Sequence, residues 1–320
     1  IDASKIIDGA IAVADVADNA ITEAKIADAA VVSLKSGRKN LIINGGFDVW
    51  QRGTSFSGTS AQYTADRWTT WTTLDISVDK TSDGALLTHP STESLLEYRM
   101  EDKDTAKVRG NTVTLSVEAT LGTSNGCQLY LYARNSSGGW YWGGGAAQRV
   151  VVDSSGKHSA TFDIPDDVGI DTLRLRISNH NTVAYQSGTV TIHSVQLELG
   201  SVATDFEHRS YGEELALCQR YFYRKEWKNY PCASIGYASS ASVLVCNIDF
   251  PVEMRTVPSL IISDRAGTTN SVVNTLNNLV YAFTPSQVWE TRHGIASFIG
   301  SATLTTGVPY GLNFDANAEL

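Results

Sequence analysis

The sequence predicts a mainly β chain in three parts: a repeat stalk over residues 1–39, an antiparallel sandwich over 40–208, and a second β-rich unit over 209–320 introduced by one short helix. Three observations carry this expectation. The N-terminal segment repeats with a period of ten, the chain from Asn40 onward alternates apolar and polar residues between turn clusters, and a single stretch near Ser210 combines helical spacing with a capping signal. A length of 320 residues also exceeds what one hydrophobic core usually organises, which suits two globular units and an appendage.

The repeat aligns Ile1, Ile11, Ile21 and Val31 in one column and Ile6, Val16 and Ile26 in a second. Asp8, Asp18 and Asp28 form a third column, and Ala10, Ala20 and Ala30 a fourth. Each repeat offers too few large apolar side chains to offset its own ordering entropy, so the segment gains order by packing against copies of itself. A trimer supplies those copies most simply, with the apolar columns in the inter-chain core. Its conformation stays open between a helical turn in TEAKIADAA capped by Thr22 and extended pieces favoured by β-branched residues. A disordered Ala-rich linker is the alternative.

From Asn40 the clearest strands are TVTLSVEATL, CQLYLYARN, HSATFDI, TLRLRIS and TVTIHSVQLEL. Turn clusters such as GTSNG, NSSGGW and DSSGK separate them, and strands at this spacing predict a sandwich rather than a parallel sheet. Helical periodicity is nearly absent here. It enters at SYGEELALCQRYFYR, where Ser210 and Glu213 stand in the relation of a capping box and Leu215, Cys218, Gln219 and Phe222 follow at three- and four-residue spacing. The β pattern then resumes in SASVLVCNIDF, SLIISD and IASFIGSATL, while Pro251 and Pro258 keep VEMRTV out of an interior strand.

Composition narrows the function classes. A net charge of −9 argues against a general grip on nucleic-acid phosphates or an anionic membrane. No apolar run reaches the roughly 20 residues that span a bilayer, and the opening lacks the regions of a signal peptide, so a soluble chain without membrane insertion is expected. The chain begins without methionine, as a mature or truncated product or a fragment does. Cys127, Cys218, Cys232 and Cys246 form no CxxC and have no nearby His pair, which excludes a zinc site and predicts buried thiols.

Several motifs invite a chemical reading. GTSNG matches the nucleophile-elbow pattern, yet alternating strands flank it where a helix should follow, so Ser124 reads as a hairpin-loop residue. Asp163, Asp166 and Asp167 flank Pro165 in a turn, where Asp bonds local backbone, rather than facing one another across a cleft. Trp140, Tyr141 and Trp142 sit between glycines and serve either as core anchors or as rings that stack on a sugar. Trp50, Trp68 and Trp71 are expected to pack the sandwich, and Asp66 with Arg67 to form an ion pair or a helical turn.

NLIINGGFDVWQRG (40–53), YTADRWTTW (63–71), VQLELGSVATDFEHRSYGEELALCQRYFYR (195–224) and FPVEMRTVPSL (250–260) together resemble the C-terminal regions of bacteriophage tail fibres. The likeness spans most of the chain after residue 40, and ITEAKIADAAV resembles the stalk repeats that precede such regions. It implies a homotrimeric fibre whose first globular domain is similar to carbohydrate-binding-module jelly rolls, and whose C-terminal domain is the distal tip. The implied role is host attachment without enzymatic activity, through a bacterial surface glycan or another receptor. A structural head or collar fibre and a polysaccharide-degrading tailspike are the alternatives. Assembly in the host cytoplasm, incorporation into the virion and contact with other tail proteins at the N-terminal side follow from the same resemblance. Jelly rolls of this type often hold a structural calcium ion, for which Asp48 and Glu198 are candidate ligands; no other cofactor is implied. At the tip, Trp227, Tyr230, Trp289 and His293 combine aromatics with turn formers and are candidates for receptor contact or for packing between subunits.

Overall fold

A computed structural model describes residues 38–319 apart from 59, 72–74, 125, 136, 144–147, 182, 227–232 and 302. The stalk repeat, Trp227, Tyr230 and Cys232 lie outside the described residues, as do the side chains of Trp140 and Tyr141.

The described residues are mainly β, in three antiparallel sheets. The first runs in the order β1 (Ser55–Phe56), β3 (Ser77–Lys80), β4 (Ala85–His89), β12 (Gly188–Leu199), β6 (Thr112–Leu121) and β10 (Gly156–Asp163). The second runs β2 (Trp68–Thr70), β5 (Leu95–Arg99), β11 (Thr172–Ser178), β7 (Cys127–Arg134) and β8 (Trp140–Gly143), with β9 (Arg149–Val152) also on β7. From β4 to β7, and again from β9 to β12, each successive strand crosses to the other sheet, a jelly-roll-like arrangement.

Alternation explains why these segments pair as they do. Val113, Leu115, Val117 and Ala119 of β6 point inward with Val190, Ile192, Val195 and Leu197 of β12. They meet Leu129 and Leu131 of β7 and Leu173, Leu175 and Ile177 of β11 in one core. Each such Val, Leu or Ile contributes about 1.5–3 kcal/mol on burial. A shift of one residue in any strand would turn this set to solvent.

Two helices occur among the described residues, where the sequence predicts one. The additional helix, α1 (Asp102–Val108), is seven residues long, too short to show a period, and buries Thr105 and Val108. The expected helix, α2 (Tyr211–Gln219), starts at the predicted capping box: Ser210 accepts from the Glu213 amide, and the Glu213 carboxylate accepts from the Ser210 amide. It ends at Gln219, so Phe222 begins a strand instead of a third helical turn. Cys218 and the following Tyr221 belong to the sandwich core.

The third sheet runs β18 (Val280–Ala282), β17 (Ser271–Asn274), β21 (Pro309–Asn317), β14 (Ser234–Ser240), β15 (Val243–Asp249), β20 (Gly294–Ser301) and β19 (Thr284–Glu290). Strand β21 is its spine. Its first half pairs with β14 and β17, and its second half with β13 (Phe222–Lys225) and β16 (Ser259–Ser263). Residues 251–258 form no strand, as the two prolines require.

The motifs that carry the fibre resemblance form the joint between the two units. Asn44 donates to the carbonyls of Val49 and Asp66 and takes the Glu214 carboxylate on its own amide. Next to it, a Cβ on Gly45 would stand 2.3 Å from the Val195 carbonyl oxygen, which only glycine avoids. Asp66 and Arg67 do not pair with each other. Asp66 lies 3.5 Å from Arg52, and Arg67 pairs with Glu319. The Arg52 guanidinium lies 3.6 Å over the Phe222 ring, and Arg224 holds Asp315 through two hydrogen bonds of 2.7 and 2.5 Å.

Candidate functional site

The outer face of the second sheet, opposite the core, gathers charged and aromatic residues from five strands or their ends. Register places Glu97 of β5, Arg176 of β11, Tyr130 of β7 and Arg149 of β9 in one cross-strand row. Arg99, Arg174 and Tyr132 form the next row, and Thr172 pairs with Arg134 in a third. Trp71, just beyond β2, completes the face from the far side. The same alternation that buries Leu129, Leu131, Leu173 and Leu175 turns these residues outward.

Glu97 organises the cluster. One oxygen of its buried carboxylate accepts from Arg99 Nε at 2.8 Å and from Arg174 at 3.3 Å. The other accepts from Arg176 Nε at 2.7 Å and from the Tyr132 hydroxyl. Two donors on each oxygen saturate the group. Burial alone would raise its pKa, but the Tyr132 hydrogen bond and the Arg176 charge outweigh burial and hold it below the ordinary carboxylate range. Burial and then the neighbouring carboxylate push the Tyr132 hydroxyl up to about 12.

Arg176 is held by more than its ion pair. Its guanidinium lies 3.9 Å over the Trp71 ring and 4.6 Å over the Tyr132 ring, and Tyr130 and Tyr132 stand 6.2 Å apart. Around this buried centre, Trp71, Tyr130, Arg99, Arg134, Arg149 and Arg174 are half-buried and partly open to solvent. Such a surface can stack on the C–H face of a pyranose and donate hydrogen bonds from a rigid fork.

The predicted site residues fall elsewhere or at the edge of this face. Trp142 pairs with Ala133 and packs against the core, whereas Trp140 pairs with Arg134, a register shift lying between them. Trp68 is fully buried and Trp50 nearly so, while Trp71, expected in the core, lies on the outer face with its ring against the Arg176 guanidinium. Trp289 is 59% exposed on β19, in one cross-strand row with Ser297, Val245 and the exposed Tyr237. His293 is exposed in the turn from β19 to β20, its amide donating to Thr291.

The proposed calcium ligands are not brought together as a site. Asp48 lines a groove of about 350 Å³ with Asp83, Glu118, His193 and His208. Glu198 is buried, accepting from the amide and hydroxyl of Thr204 and from Gln196. Among the described residues, no group of three or more His, Cys, Asp or Glu is arranged to hold a metal ion. Ser124 occupies an arch from β6 to β7, strands of different sheets, so its loop is not the expected hairpin. Its hydroxyl bonds the backbone of Gly126, and a strand follows where a nucleophile elbow needs a helix. Asp167 accepts from the Gly169 amide, as a turn carboxylate does, whereas Asp163 ends β10 and accepts from the hydroxyl of its cross-strand partner Thr112, so it is not the turn residue the sequence predicts. Cys127, Cys218 and Cys246 are free, buried thiols.

Sequence reasoning passed over Glu97, Tyr130, Tyr132, Arg174 and Arg176. The signal was the outward half of two recognised strands, Tyr-x-Tyr-x-Arg in CQLYLYARN and Arg-x-Arg in TLRLRIS, large polar and aromatic groups where small polar residues would suffice.

No family model matches the sequence, and no curated protein matches it. Among solved structures, the enzymatically active domain of tailspike protein 4 of bacteriophage CBA120 is 14% identical with a TM-score of 0.32, over 50% of this chain and 21% of that one. This chain thus covers about a fifth of the tailspike domain's length. A xylan-binding domain from CBM 22 is 15% identical with a TM-score of 0.32, over 48% of this chain and 99% of that one. A family 11 carbohydrate-binding module from Clostridium thermocellum, in complex with a β-1,3-1,4-mixed-linked tetrasaccharide, is 15% identical with a TM-score of 0.31, over 52% and 97% of the two chains.

Proposed function

We propose that the chain is part of a homotrimeric bacteriophage tail fibre that attaches the virion to its host, and that its sandwich binds a bacterial surface glycan on the outer face of the second sheet. The observation that carries the binding role is the set of aromatic rings and guanidinium groups arranged around Glu97 on a sheet face turned away from the core. The fibre assignment is supported by the tail-fibre-like motifs, whose residues form the joint between the two units. Three copies on one rigid body would multiply a weak single-site affinity without new contacts.

Binding without hydrolysis is the favoured chemistry. Glycoside hydrolysis needs one carboxyl group free to give up a proton and a second within several ångströms of the scissile bond. Glu97 is saturated and held ionised, which suits an anchor for arginines rather than a general acid.

The test is adsorption of purified chain to bacteria with intact and with enzymatically stripped surface polysaccharide, beside a Tyr130→Ala variant. Adsorption that disappears with the polysaccharide and weakens in the variant supports the reading. Equal adsorption to stripped cells, or release of reducing sugar from the polysaccharide, would overturn it.

A further inference from the structure

We propose that the outer face of the second sheet takes an acidic glycan, a polymer whose sugars carry carboxylate or phosphate groups; this rests on the glycan-binding reading above and narrows its ligand. The charge of the face opposes that of the chain. The whole sequence carries −9, yet Arg99, Arg134, Arg149, Arg174 and Arg176 stand on adjacent strands in register on one side of a single sheet. Glu97 lies among them, and Glu93 acts on Tyr130 from the edge. Asp102 accepts from Thr172 at the Arg134 end, and five guanidinium groups against these three carboxylates leave the face locally positive on an acidic protein.

Hydrogen-bond chemistry points the same way. Sugar hydroxyls both donate and accept, so a site for a neutral glycan offers acceptors as well as donors. Arginine only donates, and both oxygens of Glu97 are already taken by two donors each. The Nε–H of Arg174 is buried without a hydrogen-bond partner among the described residues. A surface dominated by donors matches a ligand dominated by acceptors, and the planar guanidinium fork matches carboxylate and phosphate oxygens in pairs. Trp71 and Tyr130 supply rings for the sugar planes between those charges. A continuous nucleic-acid backbone fits less well, because the −9 of the whole chain repels phosphates beyond this bounded patch.

The full chain is titrated by biolayer interferometry with polygalacturonate, alginate and teichoic acid, with methyl-esterified polygalacturonate and dextran as neutral counterparts, and with single-stranded DNA. Teichoic acid separates phosphate from carboxylate as the recognised group. The expected result is salt-sensitive binding to at least one acidic polymer, about tenfold or more tighter than to the neutral polymers. An Arg149→Gln/Arg174→Gln variant with an unchanged melting temperature loses about tenfold of that affinity, while Lys157→Gln, on the first sheet, loses none. Equal binding to neutral polymers, sensitive to the double variant, overturns the acidic class and leaves glycan binding standing. Binding that ignores the double variant overturns the face itself, and with it the reading above. Failure on every acidic polymer, or equal affinity for DNA, also overturns the inference.

Discussion

The buried guanidinium of Arg67 pairs with the carboxylate of Glu319, tying the segment beyond the spine strand of the third sheet into the sandwich. Arg52 reaches the same carboxylate at 3.2 Å, and the Arg67 cation also lies 3.6 Å over the Tyr221 ring. Burial works against the charged form of Arg67, but Glu319 and the surrounding tyrosines hold it firmly protonated. The pair therefore stabilises the joint only while both charges are present.

Glu319→Gln should lower unfolding stability by about 3–5 kcal/mol, since it leaves a buried cation without its anion. Arg67→Met with Glu319→Met should lose less than the single change, because two well-packed apolar groups need no counter-charge. Urea denaturation of the three variants checks this. A Glu319→Gln curve that overlays the parent would show that the pair does not hold the joint.

Glu97 on the outer face should behave in the same way within one sheet. Tyr132→Phe removes one of its four donors and should reduce stability by about 1–3 kcal/mol while raising the carboxylate pKa. Glu97→Gln removes the anion shared by Arg99, Arg174 and Arg176 and should both destabilise the sheet and weaken ligand binding. Because the folded pKa of Glu97 is depressed, its contribution is complete above the unfolded value near 4.5 and fades as pH falls through the folded value. The parent minus Tyr132→Phe difference in urea midpoint should therefore shrink on acidification below that value.

His89 gives a second acid-sensitive contribution in a different window. Burial depresses its imidazole to about 4, and its Nδ1 lies 2.6 Å from the Ser94 hydroxyl. The folded state thus binds the proton less readily than the unfolded state. Stability from this group is complete above about 6.5 and is lost as pH falls toward 4. Asp66 acts oppositely: burial raises it to about 6, so its ionisation costs stability as pH rises from 3.8 toward that value. His89→Gln should flatten the acid limb of a melting-temperature profile between pH 6.5 and 4 relative to the parent. An unchanged limb would exclude His89 as its source.

The long strands could be read from the sequence because each has one core face, so alternation persists over seven to twelve residues in β6, β7, β10, β11 and β12. Short elements such as β1, with two residues, and α1, with seven, leave no period to read. The outer face was hidden for a different reason. Tyr130, Tyr132, Arg174 and Arg176 share a side only once β11 lies between β5 and β7, a non-local pairing. Glu97 sits in LLEYR, where both neighbours in sequence are buried, and nothing local distinguishes an anchor from a solvated carboxylate. The aromatic run at Trp140–Trp142 is conspicuous in composition, but the register of β8 sends Trp142 to the core.

If the chain attaches to a host as proposed, the third sheet offers a second surface beside the sandwich. Trp289 and Tyr237 are 59% and 54% exposed at the two ends of a cross-strand row through Val245 and Ser297, leaving two exposed rings on one face of the third sheet. A trimer interface would cover such a face, whereas a distal receptor site would leave it open. Trp289→Ala and Tyr130→Ala are to be compared for host adsorption, with sedimentation equilibrium run on each. In the reading favoured here, Tyr130→Ala remains trimeric and loses adsorption, because its site is on the sandwich. Trp289→Ala either weakens the trimer, which assigns its ring to subunit packing, or leaves both trimer and adsorption intact. A trimeric Trp289→Ala that no longer adsorbs, beside a Tyr130→Ala that still does, would move receptor contact from the sandwich to the tip.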